Sequence, residues 1–159
     1  MSGRVKSTIA LLLFMVLAFD TSAQKRAMSF NDYGPERVLL DSLYKSAVNA
    51  DSTLAVFGDQ QDAFVAAWSE FLGEIARYLQ NHDLQWGAPA RCFVRVYFNP
   101  AGQVDVFLYS FREGSVDASK EKRFGELLNG FLATHGFPLK AAVPFAQCGP
   151  VIFQDARSK

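Results

Sequence analysis

Hydrophobic residues recur every three or four positions through residues 59–80, and this spacing predicts a long amphipathic helix. Asp59 is the predicted N-cap, and Asp62 adds negative charge to the first turn, where the helix dipole stabilises it. Residues 81–83 are polar and end the pattern. The apolar stripe that would face a core consists of Phe64, Trp68, Phe71, Leu72, Ile75, Tyr78 and Leu79.

Residues 91–111 predict a β-hairpin, because side chains alternate in type at every second position on both sides of a turn. The turn is Asn99-Pro100-Ala101-Gly102, where proline presets φ and glycine takes the left-handed position. Both faces of the hairpin carry apolar side chains. We therefore expect one face to meet a helix and the other to be partly covered by the N-terminal region.

A second amphipathic helix is predicted over residues 120–135, with Gly136 as its C-cap, and an apolar, β-prone stretch follows at residues 142–153. Pro144 and Pro150 interrupt that stretch, and a proline within a strand is typical of a sheet edge or a bulge. The predicted fold is therefore α+β: a three-stranded antiparallel sheet, made of the hairpin and a terminal edge strand, packed by two main helices.

The chain divides into four predicted segments. Residues 1–23 read as a cleaved signal peptide, and residues 24–58 as a partly ordered lead-in with a short helix. Residues 59–154 form the single α+β domain, and residues 155–159 are a polar tail.

The first segment has the layout of a secretory signal. Arg4 and Lys6 form a positive end, and the apolar run at residues 8–19 is shorter than the roughly 20 residues that a membrane-spanning helix needs. Small residues ending at Ala23 suit cleavage there. We therefore expect a periplasmic or secreted protein without stable membrane insertion.

The charge balance argues against nucleic acid as a partner. The chain has 16 basic and 16 acidic residues, and removing Arg4, Lys6 and Asp20 with the signal leaves 14 and 15. Such a near-neutral domain lacks the basic face that nucleic acid requires and the polybasic cluster that anionic lipid requires. Fifteen phenylalanines supply enough aromatic surface for a substantial core.

Cys92 and Cys148 are the two cysteines of the chain. In an exported protein an even number suggests a disulfide, and closing a loop of roughly 57 residues is worth on the order of 4 kcal/mol. Two buried free thiols are the alternative. A metal site is not expected, because zinc takes about four ligands and the two histidines, His82 and His135, have no ligand spacing to the cysteines.

The hairpin resembles the carboxy-terminal domain of TonB and the related domain of TolA. The likeness consists of a strand, a turn containing proline and glycine, and a second strand that opens with alternating valines. The second helix and a last strand ending at Phe153 follow in the family's order. The residues that carry the resemblance are Phe93-Val94-Arg95-Val96-Tyr97-Phe98-Asn99-Pro100-Ala101-Gly102-Gln103-Val104-Asp105-Val106.

This resemblance implies a binding function, because in such domains an exposed edge strand pairs with an extended peptide. The implied partner is another envelope protein or an extended peptide, bound by Val143, Phe145 and Val151 of the last strand. An unpaired edge also makes a dimer conceivable. The membrane anchor and long spacer of TonB and TolA are not recognisable here, so only the recognition half of their function would carry over.

The same topology bears on the cysteines. If the last strand lies antiparallel beside the first strand of the hairpin, the start of one meets the end of the other. That arrangement would bring Cys92 near Cys148 and favours the disulfide.

No catalytic constellation is recognisable, so we expect neither an enzyme nor a cofactor. His82 and Glu74 would be the best candidates of an unrecognised enzyme, but His82 lies at a helix end, where the dipole favours a cation. Phe107, Tyr109 and Phe111 are core residues or, alternatively, a ligand-binding face. A structural or small-ligand-binding envelope protein is therefore the alternative to a peptide-binding module.

Overall fold

Five strands form one mixed sheet, flanked by four helices, in the part of the chain that the structure describes. The computed structural model describes residues 26–156, so the predicted signal peptide and the end of the predicted tail lie outside the described residues. In chain order the elements are β1 (Ala27–Ser29), α1 (Phe30–Tyr33), α2 (Arg37–Leu43), β2 (Lys45–Ser46), α3 (Gln61–Asn81), β3 (Ala90–Phe98), β4 (Val104–Phe111), α4 (Ala118–Thr134) and β5 (Phe145–Phe153). The strands lie in the order β1–β4–β3–β5–β2.

The predicted three-stranded antiparallel sheet is wrong, because two further strands lie parallel at its borders. As expected, β3 pairs antiparallel with both β4 and β5. In addition, β1 pairs parallel with β4, and β2 pairs parallel with β5. These border strands have three and two residues, too few to show the alternation by which a strand is recognised in a sequence. Both come from the segment that the sequence suggests is a lead-in.

Both long predicted helices are confirmed, and they pack together on one face of the sheet. The side chain of Asp117 caps α4, since its Oδ1 accepts the N–H of Lys120 at 2.8 Å. The predicted cap of α3 is wrong: Gln60 is the N-cap residue, and Asp59 lies in a preceding 3₁₀ turn. Between the helices and the sheet lies an aromatic core that includes Phe64, Phe71, Phe98, Phe131, Phe137 and Phe145.

Residues 30–44, which we call the crossing segment, pass over the opposite face of the sheet. The segment contains α1 and α2 and connects β1 at one border with β2 at the other. Tyr97 and Leu108 point to this face by strand alternation, and both are fully buried. The expectation that the N-terminal region partly covers the second face is therefore confirmed.

Two tyrosine hydroxyls hold the crossing segment on the sheet. Tyr97 Oη donates to Asp41 Oδ1 at 2.8 Å, and Arg95 Nη2 lies 2.7 Å from the same oxygen. Tyr44 Oη donates to Asp105 Oδ2 at 2.8 Å. Burial and this hydrogen bond raise the pKa of Tyr44 to about 12, so its hydroxyl remains a donor at neutral pH. The crossing segment is therefore an integral part of the fold.

Candidate functional site

The β1 border of the sheet is closed by a side chain of α4. Asn129 Oδ1 accepts the N–H groups of Arg26 and Ala27, at 2.8 and 2.9 Å. Asn129 Nδ2 donates to the carbonyl of Ala27 at 2.9 Å. The outward-facing backbone groups of Ala27 are therefore already satisfied and are not free to pair with another chain.

At the opposite border, β2 covers only the beginning of β5. The two strands pair at Phe145 and Ala146, and the outer side of β2 is bonded in turn, since the N–H of Val56 donates to the carbonyl of Ser46 at 3.0 Å. Residues 147–153 of β5 pair with β3 on one side and, within the described residues, with no strand on the other. We call the outer side of residues 147–153 the free edge.

Backbone groups along β5 alternate between β3 and the free edge. The carbonyl of Ala146 points away from β3, because it accepts a hydrogen bond from the N–H of Ala47 at 2.9 Å. By alternation, the backbone groups of Cys148, Pro150 and Ile152 also point away from β3. The carbonyl of Cys148 accepts a bond from Gln147 Nε2 at 3.1 Å. The N–H of Cys148 and both backbone groups of Ile152 have no partner in residues 26–156.

Pro150 lies within β5 and does not interrupt it. Proline has no N–H to donate, and the alternation places its nitrogen on the outer side, where no hydrogen bond to β3 is lost. The strand therefore continues to Phe153. Pro150 therefore lies on the part of β5 that β2 leaves unpaired, but β5 is not the predicted terminal edge strand, because β2 lies outside it in the sheet.

An apolar groove lies beside the free edge, on the face that the crossing segment covers only in part. Ile152 is 58% exposed and Phe93 is 43% exposed, although both are large apolar side chains. The groove has a volume of about 380 Å³ and is bordered by Arg91 and Arg112. Neither arginine has an ion-pair partner among the described residues. The groove thus combines apolar surface with unneutralised positive charge.

The three predicted contact residues lie in β5 or just before it, but none of them is exposed. Val143 precedes β5 and is half-buried, and Val151 packs partly buried on the helix side. Phe145 is fully buried, with its ring 4.9 Å from that of Phe98. The exposed side chains of the strand are those of Cys148, Pro150 and Ile152. The spacing by two residues from Pro150 is the sequence signal that places these side chains on one face of the strand, but it does not show which face is exposed.

The predicted disulfide does not form in this structure, where both cysteines are free. Cys92 lies opposite Val151, whereas Cys148 lies opposite Arg95. The two cysteines are therefore about 10 Å apart along the strands and on opposite faces of the sheet, beyond the reach of an S–S bond. The sequence argument failed because β5 continues past Pro150, which places Cys148 near the middle of the strand.

We expect one thiol per molecule to react with Ellman's reagent in the native protein prepared without reductant, and two in denaturant. Cys148 is exposed, whereas burial raises the pKa of the Cys92 thiol to about 12 and leaves almost no thiolate. Cys148→Ser should abolish the native reaction, and Cys92→Ser should leave it unchanged. Two unreactive cysteines in unreduced, denatured protein would show that they are oxidised.

His82 and Glu74, the two residues considered for catalysis, do not lie together. His82 is exposed at the end of α3, with Nδ1 2.8 Å from the carbonyl oxygen of Tyr78. Glu74 lies eight positions earlier on the same helix, about 12 Å along its axis. No group of three His, Cys, Asp or Glu side chains that could hold a metal ion occurs within residues 26–156.

The aromatic residues of β4 belong to the core. Phe107 and Tyr109 are buried on the helix face, and Phe111 packs against them. The rings of Tyr109 and Phe111 contact that of Phe124 in α4, and Tyr109 meets it edge-to-face at 4.9 Å. Of the two readings of this face, the structure favours core, although the hydroxyl of Tyr109 reaches a cavity described below.

No family model, curated protein or solved structure matches this chain. Within the described residues, no helix has the length and apolar character needed to cross a membrane. The likeness to the TonB and TolA domains therefore depends on the hairpin, the second helix and the last strand alone.

Proposed function

We propose that this protein is an exported protein- or peptide-binding module that adds an extended segment of its partner to the free edge. The observation that carries the proposal is the run of β5 residues 147–153 that pairs with β3 on one side only. Unpaired strand edges are templates for another chain. In this mode, backbone hydrogen bonds supply affinity and the side chains beside the edge supply specificity.

The other strand borders support the choice of this edge. Asn129 bonds the outward N–H and carbonyl of Ala27 in β1, and the N–H of Val56 bonds the carbonyl of Ser46 in β2. The unpaired N–H of Cys148 and the N–H and carbonyl of Ile152 are free to bond a partner. A bound segment would begin beside Gln147, where β2 leaves the sheet, and would extend toward Phe153.

The groove indicates the chemistry of the partner. Every second side chain of an added strand would lie on the same face as Ile152 and Phe93, so apolar residues at those positions would bury their exposed surface. Arg91 and Arg112 would pair with a carboxylate. The partner segment is therefore extended, with apolar residues at alternate positions and at least one acidic residue.

The sequence supports this function in two further ways. The resemblance to the TonB and TolA domains implies edge-strand addition, and the expected signal peptide implies export to the compartment of envelope proteins. No catalytic step or cofactor is part of the proposal.

Octapeptides that bind the mature protein are first selected by phage display. The affinity of one selected peptide, made synthetically, is then measured by calorimetry. An analogue that is N-methylated at alternate residues, so that its edge-facing N–H groups are lost, should bind at least about tenfold more weakly. Ile152→Lys should weaken binding to a similar extent, because lysine on an edge opposes strand addition.

The matched control is Val65→Lys, which places the same charge at another exposed β-branched residue, 52% exposed on α3. It should leave peptide affinity unchanged. Peptide binding that is insensitive both to N-methylation and to Ile152→Lys would refute edge addition. The absence of any saturable peptide binding would refute the proposed function.

A further inference from the structure

A cavity of about 740 Å³ lies between α4 and the turn that leads from β1 into α1. It is on the border of the sheet opposite the free edge, beside β4. Its volume falls within the range of about 300–1,000 Å³ that small-molecule sites have. The chemistry of its lining therefore indicates which class of ligand it suits.

The hydroxyl of Tyr109 forms the polar floor of this cavity. The residue is 5% exposed, and its ring packs on Phe124. The hydroxyls of Tyr44 and Tyr97 donate to carboxylates, whereas that of Tyr109 has no hydrogen-bond partner among residues 26–156. Because the core holds the ring while the hydroxyl opens into the cavity, the oxygen is available to accept a hydrogen bond from a ligand.

Gly125 of α4 keeps the hydroxyl accessible. A Cβ atom at this position would lie 2.6 Å from Tyr109 Oη, closer than any contact between such atoms allows. Because Gly125 has no side chain, the helix can pass directly over the tyrosine and leave open space beside it. Any larger residue would displace the hydroxyl or fill the space.

The charged groups around the cavity leave an excess of negative charge. Glu126 is paired with Lys122 at 3.6 Å and with Arg123 at 3.8 Å. Asp32 and Glu121 also line the cavity, and neither has an ion-pair partner within the described residues. Burial, and after it the negative charges of Glu121 and Asp32, raise the pKa of Tyr109 to about 12.

We propose that this cavity binds a compact organic cation, an ammonium or guanidinium group, between the carboxylates of Asp32 and Glu121 and the hydroxyl of Tyr109. The N–H groups of such a cation donate charge-assisted hydrogen bonds to the carboxylates, and the tyrosine oxygen accepts another. The amide of Asn129 takes no part, because its atoms already bond β1 and the carbonyl of Gly125. An anion would be repelled by the two unpaired carboxylates.

The test titrates the mature protein with 1,4-diaminobutane and with agmatine, and follows binding by calorimetry and by amide chemical shifts. Saturable binding of either cation, with shifts centred on residues 118–129 and on Asp32, is the expected result. Butane-1,4-diol has a similar length without the charge and should not bind. Comparison of the two cations distinguishes an ammonium site from a guanidinium site.

The variants separate the site from general surface charge. Glu121→Gln and Asp32→Asn should each weaken cation binding by about tenfold or more. Tyr109→Phe should also weaken cation binding, but by less than either of these variants. Glu113→Gln removes the same charge from an exposed loop residue outside the cavity and should leave affinity unchanged. Equal weakening by Glu121→Gln and Glu113→Gln, or no saturable binding of either cation, would overturn the proposal. Peptide binding at the free edge is independent of each of these outcomes.

Discussion

Phe98→Ala should destabilise the protein by about 3–5 kcal/mol, because the ring lies at the centre of the aromatic core. Phe98 is fully buried, and its ring centroid lies 4.9 Å from that of Phe145 and 5.0 Å from that of Phe137. The substitution would leave a cavity that the surrounding rings of α3, β5 and the segment after α4 cannot fill by small movements. Urea unfolding followed by tryptophan fluorescence measures the loss as a lower midpoint.

The matched control is Phe93→Ala, on the same strand and on the opposite face. Phe93 is 43% exposed, and its aromatic neighbour is Phe30, at 6.0 Å. Its replacement should cost about 1 kcal/mol or less. Equal losses for the two variants would contradict the assignment of β3 faces on which both the core and the groove depend.

Gly102→Ala should be the second severe change, with a loss of about 3 kcal/mol, from strain and from overpacking. Gly102 has φ of 83°, which disfavours any side chain. A Cβ atom there would lie 2.5 Å from the carbonyl oxygen of Phe137 and 2.8 Å from that of Leu139. Since both are backbone atoms, the segment after α4 would have to move, and the bond from the Phe137 N–H to the Gly102 carbonyl, 2.7 Å long, would weaken.

Gly114→Ala separates the two causes of this loss. Gly114 has a similar φ, 72°, but no atom lies within 4 Å of the position that its Cβ would take. The free energy of unfolding of Gly114→Ala should fall only by the conformational cost of the positive φ, about 1 kcal/mol. Thermal unfolding of both variants measures the difference, and a Gly102→Ala protein as stable as Gly114→Ala would show that the hairpin turn does not pack on the segment after α4.

Part of the candidate site could be predicted from local sequence. Prolines in the last apolar stretch indicate an edge strand, and Pro150 does lie with its nitrogen on the outer side of β5. Which side chains accompany that edge could not be predicted, because a shift of one residue in register exchanges the two faces of a strand. The sequence therefore predicts contacts by Val143, Phe145 and Val151, whereas Cys148 and Ile152 are the exposed neighbours of the free edge.

The sequence by itself determined the two long helices, the hairpin and the presence of a last strand. Each has a local signature: an apolar stripe with helical spacing, an alternation of two, or a turn containing proline and glycine. The helix predicted at residues 59–80 is Gln61–Asn81 in the structure, and the one predicted at residues 120–135 is Ala118–Thr134. Each of these signals is formed by residues close together in the chain, so the sequence alone is sufficient to recognise it.

Tertiary structure alone decided the border strands, the separation of the cysteines and the cavity. Strands of two and three residues have no detectable period, and β1 and β2 exist because distant strands offer them backbone partners. Cys92 and Cys148 are kept apart by the register of β3 with β5. The cavity brings Asp32 near Glu121 only because the crossing segment begins beside α4. Each of these features depends on pairings between residues far apart in the chain, for which local sequence has no physical signature.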